Sequence, residues 1–501
     1  MEVVVAAAAW AITAVCHTFP SFNTLGLCGG QQIESLLHGK LSAGAQIYFP
    51  GSAGYANATN RWSVLDAPTT NIVILPSVAN DVSEIVKAAN LLNIPYLAVN
   101  GGHGAITTVG KMKSGIEIWM DNLNSVEVSE DGKTATFGGG ILSKTVTDSL
   151  WALGKQTVSG GCECTSLLGP GLGGGHGFLQ GRHGLIADQF VSMDVVLASG
   201  EMQTFNANSD LWWALRGAGH NFGIVTAVTS KVYDIEHPDW AYASFIYTGD
   251  KIEALYHSIN KHLLKDGSQP VYILNYSFFF NSPSLDPDKP VIMFFVLQEG
   301  VSVIDPIYTQ PFIDIGPLLT DAAGGSYKDI SVWTGLGNDS PTCQKSGLVN
   351  IRFPVDLQVY NVQAQRKAYD LFASATKATP ALNGSAFLFE GYSTQGVKKV
   401  PHDSTAYPNR QANLLVAPLL TYAPGGEELD RTAAKLGESL RTILYKGSAL
   451  KEKYTYVNYA FGDETEQNLY GYEEWRQNRL KSLKQKYDPR GKFSYYAPIK
   501  L

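Results

Sequence analysis

The sequence predicts an α+β protein with two domains, the second of which is built on an antiparallel sheet. Two observations support this prediction. The chain has 501 residues, which is more than one small hydrophobic core usually serves. A strand–helix–strand pattern near the start gives way, from Trp240 onward, to aromatic strands that alternate with helices. We therefore expect an N-terminal segment 1–64, a first domain 65–239, a second domain 240–450 and a C-terminal segment 451–501.

The first domain opens with a strand–helix–strand unit. NIVILP and IPYLAVN are short apolar runs typical of strands, and Asp81 to Leu92 between them has the apolar spacing of an amphipathic helix. Asn80 or Ser77 is the expected cap of that helix. The second strand ends at Gly101-Gly102, which predicts a glycine turn at the exit of the unit.

Further strands and short helices complete the first domain, and we expect one mixed sheet. Hairpin turns are predicted at Asp131-Gly132 and Ser199-Gly200, because such pairs favour tight turns. Gly154 is the expected end of a helix. In chain order the predicted elements are GIEIWMD, SVEVSEDGKTATFGGG, SKTVTDSLWALG, FVSMDVVLASGEMQTFN, SDLWWALRG and FGIVTAVTSKVY.

The second domain is predicted to be an antiparallel sheet with helices on one side. Residues 360–377 and 427–444 have helical apolar spacing, and residues 473–486 form a further helix after the domain. The aromatic residues on the strands either fill a core or line a pocket. The predicted strands are WAYASFIYTG, PVYILNYSFFF, PVIMFFVLQ, GSAFLFEGYS and ANLLVAPLLTY.

Composition and charge argue against several classes of partner. The net charge is -7 and no block of Lys or Arg occurs, so nucleic acid is not an expected partner. No interior apolar run reaches the ~18 residues of a transmembrane helix, so no membrane partner is expected. The five cysteines are few and odd in number, and they imply no disulfide framework.

The N-terminus leaves the localisation open. Residues 1–20 contain an apolar stretch of signal-peptide length, which would direct the chain to the secretory pathway. However, Glu2 stands where a positive charge is usual, and no Lys or Arg precedes Lys40. Glycosylation motifs occur at Asn57, Asn275, Asn338 and Asn383.

The glycine-rich stretch from Gln156 to Gly184 allows several interpretations. It contains a G-x-G-x-x-G from Gly169 to Gly174, but the dinucleotide fingerprint needs a helix that opens on it. More glycines follow here, so we expect no such helix. Cys162 and Cys164 with His176 offer metal ligands, yet no second cysteine pair completes a zinc spacing, and we expect no metal.

Apolar residues recur between these glycines, which favours a wall pressed against a ligand over a free loop. Such a wall exposes backbone N–H groups and lets a planar ring system approach closely. A second glycine turn, from Val99 to Gly104, forms an anion-binding nest. The two surfaces together predict a large, phosphate-bearing ligand held from two sides.

Segments covering about half the chain carry a family resemblance. They are ILPSVANDVSEIVKAAN, VNGGHG, ATFGGGILSK, GGCECTSLLGPGLGGGHGFLQGRHGLIADQFVSMDVVLASG, SDLWWALRGAGHNFGIVT and, more weakly, YVNYAF and LKSLKQKYDPRGKFSYY. As a set they resemble the FAD-binding domain of the vanillyl-alcohol-oxidase superfamily, also called the p-cresol-methylhydroxylase type, and in particular the fungal berberine-bridge-enzyme-like oxidoreductases. The resemblance implies a two-domain FAD-binding fold, a substrate domain at 240–450 and a C-terminal segment that returns to the FAD domain.

The resemblance also implies how FAD is held. His103 would be bonded to the flavin 8α-methyl carbon, and Cys162, with Cys164 as the nearby competitor, to the flavin C6. Asn100 and Gly104 depart from the commoner family pattern, which concerns the phosphate contacts. The implied cofactor-binding residues are Asn100, Gly101, Gly102, His103, Gly104, Gly139, Gly140, Cys162, Ser166, Gly169, Gly173, Gly174, Gly175, His176, Gly177, Gly223, Ile224 and Asn458.

The implied activity is that of an oxidase of a small organic substrate, in which hydride passes to the flavin and then to O2. Tyr456, Tyr459 and Glu390 are candidates for the base that takes a hydroxyl or amine proton, since an apolar setting would raise the pKa of Glu390. We expect a natural-product intermediate of fungal secondary metabolism as the substrate. Two alternatives stay open: a carbohydrate oxidase of the same fold, and a flavin-bound non-redox cyclase.

Overall fold

The structure, a computed structural model, describes residues 27–448 and 450–501. The signal-peptide candidate at 1–20 lies outside the described residues. Among the helices that the structure describes, none is both long and apolar enough to cross a membrane.

The first sheet has four strands, in the order Gln46–Tyr48, Thr70–Leu75, Gly115–Trp119 and Tyr96–Val99. The last three are parallel and the first is antiparallel to its neighbour. Because Gln46–Tyr48 belongs to this sheet, part of the segment 1–64 lies in the first domain.

The helix between the first two predicted strands spans Ala79–Leu91, but its predicted cap is wrong. Its N-cap is Val78, whose side chain has no hydrogen-bonding group. Asp81 replaces the cap, because its carboxylate accepts from the backbone N–H groups of Ser77 (2.8 Å) and Val78 (3.1 Å). The apolar face of this helix packs on the first sheet.

The second sheet is antiparallel and has five strands, so the expectation of one mixed sheet is wrong. The helical turn Met120–Asn122 separates the two sheets along the chain. Both predicted hairpin turns form, with positive φ at Gly132 and Gly200. The strands are, in spatial order, Val126–Val128, Thr134–Gly138, Ile224–Lys231, Phe190–Val196 and Met202–Asn206.

The third sheet is antiparallel, as predicted for the second domain. One strand, Val355–Leu357, pairs with Leu414–Tyr422 beside the main path. Leu319–Ser326 and Val349–Arg352 were not predicted, and the first of them, LTDAAGGS, lacks apolar alternation. The main path runs Leu319–Ser326, Asp239–Tyr247, Val291–Glu299, Ile273–Phe280, Ala386–Gly391, Leu414–Tyr422 and Val349–Arg352.

The two faces of the third sheet belong to different cores. One face packs against helices Ile252–Ser258, Val362–Ala378 and Glu427–Gly447. The other face packs against the first domain, so that Phe294 lies in one core and Phe295 in the other. The interface between the domains is therefore the inward face of this sheet.

The C-terminal segment packs into the first domain. Its helix Glu474–Tyr487 carries Lys484, which is fully buried and paired with Asp488 at 2.7 Å. The ammonium also donates to the backbone oxygens of Asn221 (2.8 Å) and Phe493 (2.7 Å). The contact with Asn221 attaches the C-terminal segment to the helical turn Gly219–Asn221 of the first domain.

Shorter elements connect the sheets. Lys155–Gln156 pairs with Tyr233–Asp234, and Ile259–Leu264 is a π-helical continuation of the helix before it. The remaining α-helices are Leu27–Leu37, Ala53–Thr59, Ser143–Trp151, Leu168–Leu172, Gln180–His183, Ile186–Gln189, Trp212–Leu215, Gln310–Ile313, Ile330–Trp333, Gln395–Lys399 and Glu466–Tyr470. Contrary to expectation, Leu168–Leu172 opens one helical turn within the G-x-G-x-x-G, but Gly173 ends it.

Candidate active site

A cavity of about 360 Å³ lies between the two domains. Its walls come from the loop after strand Tyr96–Val99, the glycine-rich stretch, the inward face of the third sheet and the C-terminal segment. The predicted site residues that line it are Asn100, Gly101, Gly102, His103, Gly104, Gly139, Cys162, Ser166, Gly169, His176, Gly223, Ile224, Glu390, Tyr456, Asn458 and Tyr459.

Five of the predicted cofactor-binding glycines do not line the cavity, and their role in cofactor binding stays a prediction. They allow close packing of the protein on itself. A Cβ at Gly173 would lie 2.4 Å from Asn458 Oδ1, and one at Gly174, where φ is +102°, would lie 2.5 Å from the Tyr407 ring. The glycines in this group are Gly140, Gly173, Gly174, Gly175 and Gly177.

The loop from Asn100 to Gly104 leaves its backbone donors free. Asn100 Nδ2 donates to the Gly139 backbone oxygen at 2.8 Å, which fixes the start of the loop, and Gly102 has a φ of +68°. Within the described part of the chain, the N–H groups of Gly101 to Gly104 donate to no protein acceptor. Free N–H groups that converge on a cavity fit an anionic ligand such as a phosphate.

His103 faces the cavity as a neutral imidazole. Burial, together with the charges of Arg352 and Lys345, lowers the pKa of His103 to about 3. Its ring stacks on Trp62, with centroids 5.6 Å apart and planes at 22°. Nε2 is buried and has no hydrogen-bond partner among the described residues. A neutral ring nitrogen held in this way is a nucleophile.

Three sulfur atoms meet at the cavity wall. Cys164 and Cys343 form a disulfide, which corrects the expectation that the cysteines imply none. Cys162 is a free thiol, with Sγ 3.3 Å from that of Cys164 and 3.5 Å from that of Cys343. Burial raises the pKa of Cys162 to about 11. Cys164 is thus unavailable as a thiol, and Cys162 alone of the two predicted cysteines can bond a ligand.

The disulfide joins a loop of the second domain to the glycine-rich stretch. Backbone contacts reinforce the junction: Glu163 N–H donates to the Leu336 oxygen at 3.0 Å, and Asn338 N–H donates to the Glu163 carboxylate at 2.8 Å. Ser331 Oγ donates to the Gly161 oxygen at 2.8 Å. Leu336 also lines the cavity, so this loop closes one side of it.

Glu390 lies on the inward face of the third sheet, where strand register assembles an aromatic cluster. Tyr276 is opposite Glu390 on one neighbouring strand and opposite Phe295 on the other. Glu390 is 3% exposed; its Oε2 accepts from Tyr392 at 2.6 Å, and Oε1 has no described partner. Burial raises the pKa of Glu390, and the hydroxyls of Tyr392 and Tyr459, with the charge of Arg352, oppose the rise.

Tyr456 and Tyr459 occupy different surroundings. The Tyr456 hydroxyl accepts from Asn458 Nδ2 (2.7 Å) and from the backbone N–H of His176 (3.2 Å). Tyr459 lies on the side of Glu390 and Arg352, with the Arg352 guanidinium 4.3 Å from its ring centroid. Burial raises the pKa of both phenols, so both stay protonated at neutral pH and neither is available there as a base.

His176 packs against the rings of Tyr392, Tyr407 and Tyr456. Its Nδ1 faces Gln180 Oε1 at 2.9 Å, and its Nε2 is 3.2 Å from the Tyr407 hydroxyl. Burial lowers the pKa of His176 to about 4, so the ring is neutral. Its stacking on Tyr392 at 5.5 Å supports the phenol that donates to Glu390.

Several lining residues were missed by the sequence analysis. Tyr276 and Tyr392 lie on predicted aromatic strands, so a signal for them existed but did not distinguish pocket from core. Arg61 lines the cavity and pairs with Glu117, and it comes before the first recognised strand. Arg352 lines the cavity at the end of a strand that the sequence did not indicate.

Two family models match segments of the chain that contribute to the cavity wall. A family model described as FAD binding domain matches residues 70–206, and one described as berberine and berberine like matches residues 455–500. The FAD-linked oxidoreductase chyH of Penicillium rubens is 51% identical over 499 residues, covering 100% of this chain and 99% of chyH.

Solved structures share the fold. BBE-like 1 of Physcomitrella patens has a TM-score of 0.77 at 20% identity, over 94% of this chain and 99% of that one. Xylooligosaccharide oxidase of Myceliophthora thermophila has a TM-score of 0.78 at 18% identity, also over 94% and 99%. At these identities the likeness concerns the fold alone.

The residues present fit FAD. Free backbone donors at Gly101 to Gly104 suit a phosphate, and His103, which lines the cavity, has a buried Nε2 without a protein partner among the described residues. The match to the FAD binding domain covers all of these residues. The chain is thus an FAD-dependent oxidoreductase that belongs to the berberine-bridge-enzyme-like family of FAD-linked oxidoreductases and has its p-cresol-methylhydroxylase-type α+β fold.

Proposed function

We propose that this protein is an oxidase that removes hydride from a hydroxyl- or amine-bearing carbon of a small, largely apolar natural product, with FAD bonded to His103 and to Cys162. The observation that carries the proposal is Glu390, a buried carboxylate with a free oxygen in the cavity that His103 and Cys162 also line. When bound, FAD accepts the hydride and passes two electrons to dioxygen, which leaves as hydrogen peroxide.

Covalent attachment at two residues is supported by the state of both side chains. His103 is neutral, so a ring nitrogen keeps its lone pair. Cys162 is a thiol, while Cys164 and Cys343 are bonded to each other. Attachment at Cys162 requires loss of its proton, which burial opposes, so we expect it to follow attachment at His103.

Glu390 is the proposed base. Its raised pKa makes it a stronger proton acceptor than a solvated carboxylate, and Oε1 is free to take the substrate proton. The Tyr392 hydroxyl holds Oε2 and thereby fixes the direction of Oε1. Tyr456 and Tyr459 are then orienting groups, because their raised pKa values keep them protonated.

The lining around Glu390 favours an apolar substrate. Phe278 and Leu388 are opposite each other in register and both line the cavity, as does Phe295. These side chains exclude water from Glu390 and offer no hydrogen bonds to a polyol. The related fungal enzymes, including chyH, are described as FAD-linked oxidoreductases, which is compatible with a role in secondary metabolism.

The direct test is mass spectrometry of a tryptic digest of the purified protein. His103 lies in the peptide 88–111 and Cys162 in the peptide 156–182. Two attachments to one FAD predict a single cross-linked species that contains both peptides and one cofactor. If both peptides carry no FAD, the covalent proposal is wrong.

Substrate class is tested by peroxide release. Aromatic alcohols and amines should release peroxide, whereas xylo- and chito-oligosaccharides at equal concentration should not. Turnover of oligosaccharides only would favour the carbohydrate-oxidase alternative. Product formation without any peroxide or oxygen uptake would favour the non-redox cyclase.

A further inference from the structure

Arg352 is a cation held inside the cofactor cavity by two aromatic rings. Its guanidinium carbon lies 4.3 Å from the ring centroid of Trp62 and 4.3 Å from that of Tyr459. The side chain is half-buried, and no carboxylate within the described ranges comes into ion-pair distance of it. Such a cation, without an anion of its own, acts on the groups around the cavity.

Trp62 connects Arg352 to His103. The Trp62 ring is 2% exposed and stacks on the His103 imidazole at 5.6 Å. Its backbone is fixed on both sides: Trp62 N–H donates to the Gly102 oxygen at 3.1 Å, and Asn350 Nδ2 donates to the Trp62 oxygen at 2.6 Å. The strand Val349–Arg352 therefore holds Trp62 in two ways. Asn350 binds its backbone oxygen, and the Arg352 guanidinium lies over its ring.

The charge of Arg352 reaches several reactive groups. After burial, it is the largest contribution that lowers the pKa of His103, ahead of Lys345. It also opposes the rise in the pKa of Cys162 and of Glu390. One guanidinium thus favours the neutral imidazole and, at the same cavity wall, the anionic forms of the thiol and the carboxylate.

We propose that Arg352 is a positioning residue for cofactor attachment, which presses Trp62 against the imidazole of His103 and keeps a positive charge beside the bond that forms. This inference rests on the attachment to His103 proposed above. Arg352 contributes planarity as well as charge, because a guanidinium stacks on two rings at once whereas an ammonium does not.

Attachment forms one C–N bond and breaks one C–H and one N–H bond. A ring nitrogen of His103 forms a bond to a methyl carbon of the flavin, one C–H bond of that methyl group breaks, and the imidazole loses its N–H proton. The carbon is oxidised by two electrons, which the flavin ring takes up together with both protons. Dioxygen then accepts two electrons and two protons and leaves as hydrogen peroxide. A positive charge beside His103 favours the transfer of electrons into the ring.

The test compares Arg352→Met, Arg352→Lys and a matched control, Arg479→Met. Arg479 is exposed and lies 4.4 Å from the ring centroid of Trp213, so its removal deletes a cation–π contact of the same kind outside the cavity. Each chain is produced under riboflavin limitation so that it carries no flavin, and FAD is then added. Samples are denatured at intervals, and the FAD that stays bound to the peptide 88–111 is measured.

We expect Arg352→Met to slow attachment at least tenfold, the size of effect that loss of two cation–π contacts supports. Arg352→Lys, which keeps the charge, should recover part of the rate, and Arg479→Met should match the native protein. The flavin midpoint potential should fall in Arg352→Met and be retained in Arg352→Lys, which a merely structural role would not explain.

The outcomes separate this inference from the function on which it rests. Native protein that binds FAD without any adduct on the peptide 88–111 refutes attachment itself and this inference with it. Native-like attachment and potential in Arg352→Met, with an adduct present in the native protein, refute the role of Arg352 alone. If Arg352→Met does not fold, Trp62→Phe must slow attachment and Arg352→Lys must lower its extent, or the inference is wrong.

Discussion

Removal of the Cys164–Cys343 disulfide should destabilise the protein without removing the thiol that faces the cavity. The perturbation is the double substitution Cys164→Ser and Cys343→Ser, and the matched control is Cys162→Ser, which changes the third sulfur of the same cluster. Serine is close to cysteine in size, so the effect comes mainly from the lost covalent bond between the two domains.

The magnitude follows from the length of chain that the bond closes. The two cysteines are 179 residues apart, and the loop-closure entropy of a loop of that length corresponds to about 5 kcal/mol at 25 °C. Measured losses for native disulfides span roughly 2–5 kcal/mol. With an unfolding entropy of about 1 kcal/mol/K for a chain of this size, we expect the melting temperature to fall by roughly 2–5 °C.

Thermal unfolding followed by flavin fluorescence and by circular dichroism gives the comparison. The double variant should melt below the native protein, and a reducing agent should lower the melting temperature of the native protein but not of the double variant. Cys162→Ser should keep its response to the reductant. A double variant as stable as the native protein, with the bond mapped in the native digest, would refute the entropy argument.

Three further predictions concern single positions. Glu390→Gln should lower kcat by about 10²- to 10⁴-fold with FAD content unchanged. The pKa of Glu390 is raised from 4.5 and the base acts deprotonated, so the acid limb of the native kcat/KM profile should lie above pH 4.5 and be lost in the variant. An unchanged profile would exclude Glu390 as the base. Gly174→Ala should cost about 2–4 kcal/mol of unfolding free energy in a denaturant titration while the flavin spectrum stays native, because the new Cβ meets Tyr407 at a φ of +102°; native stability would contradict this. We propose passage through the secretory pathway, so peptide mapping after N-glycosidase treatment should find a glycan at exposed Asn338 and none at Asn275, which is 1% exposed; an unmodified Asn338 in protein from a fungal host would count against it.

The parts of the site that follow a regular element were predictable from sequence. Strand periodicity identified NIVILP and IPYLAVN, and the glycines after the second strand then indicated a nest at Gly101 and Gly102. The resemblance added His103 within that nest. Local pattern and family motif agree here because the whole feature lies within about ten residues.

Glycine alone did not reveal what approaches the backbone. Gly101 and Gly169 line the cavity, whereas Gly173 and Gly174 make room for Asn458 and Tyr407. Both cases give the same signal in a sequence, namely a position that tolerates no side chain. Only the three-dimensional path of distant segments distinguishes a ligand from another part of the chain.

Residues that pair with partners far away in the sequence could not be predicted from the local sequence pattern. Cys343 pairs with Cys164 over 179 residues, and an odd cysteine count concealed the pair. Arg352 ends a four-residue strand too short for its periodicity to be recognised. Its role depends on Trp62 and Tyr459, which approach from opposite ends of the chain.

The return of the C-terminal segment sets the order of events during synthesis. The cavity wall includes Tyr456, Asn458 and Tyr496, and Lys484 fastens this segment beside Asn221. A nascent chain on the ribosome therefore has the glycine nest long before it has an enclosed pocket. We therefore expect cofactor loading to be completed only after this segment is in place, because a chain truncated before it lacks one wall of the cavity.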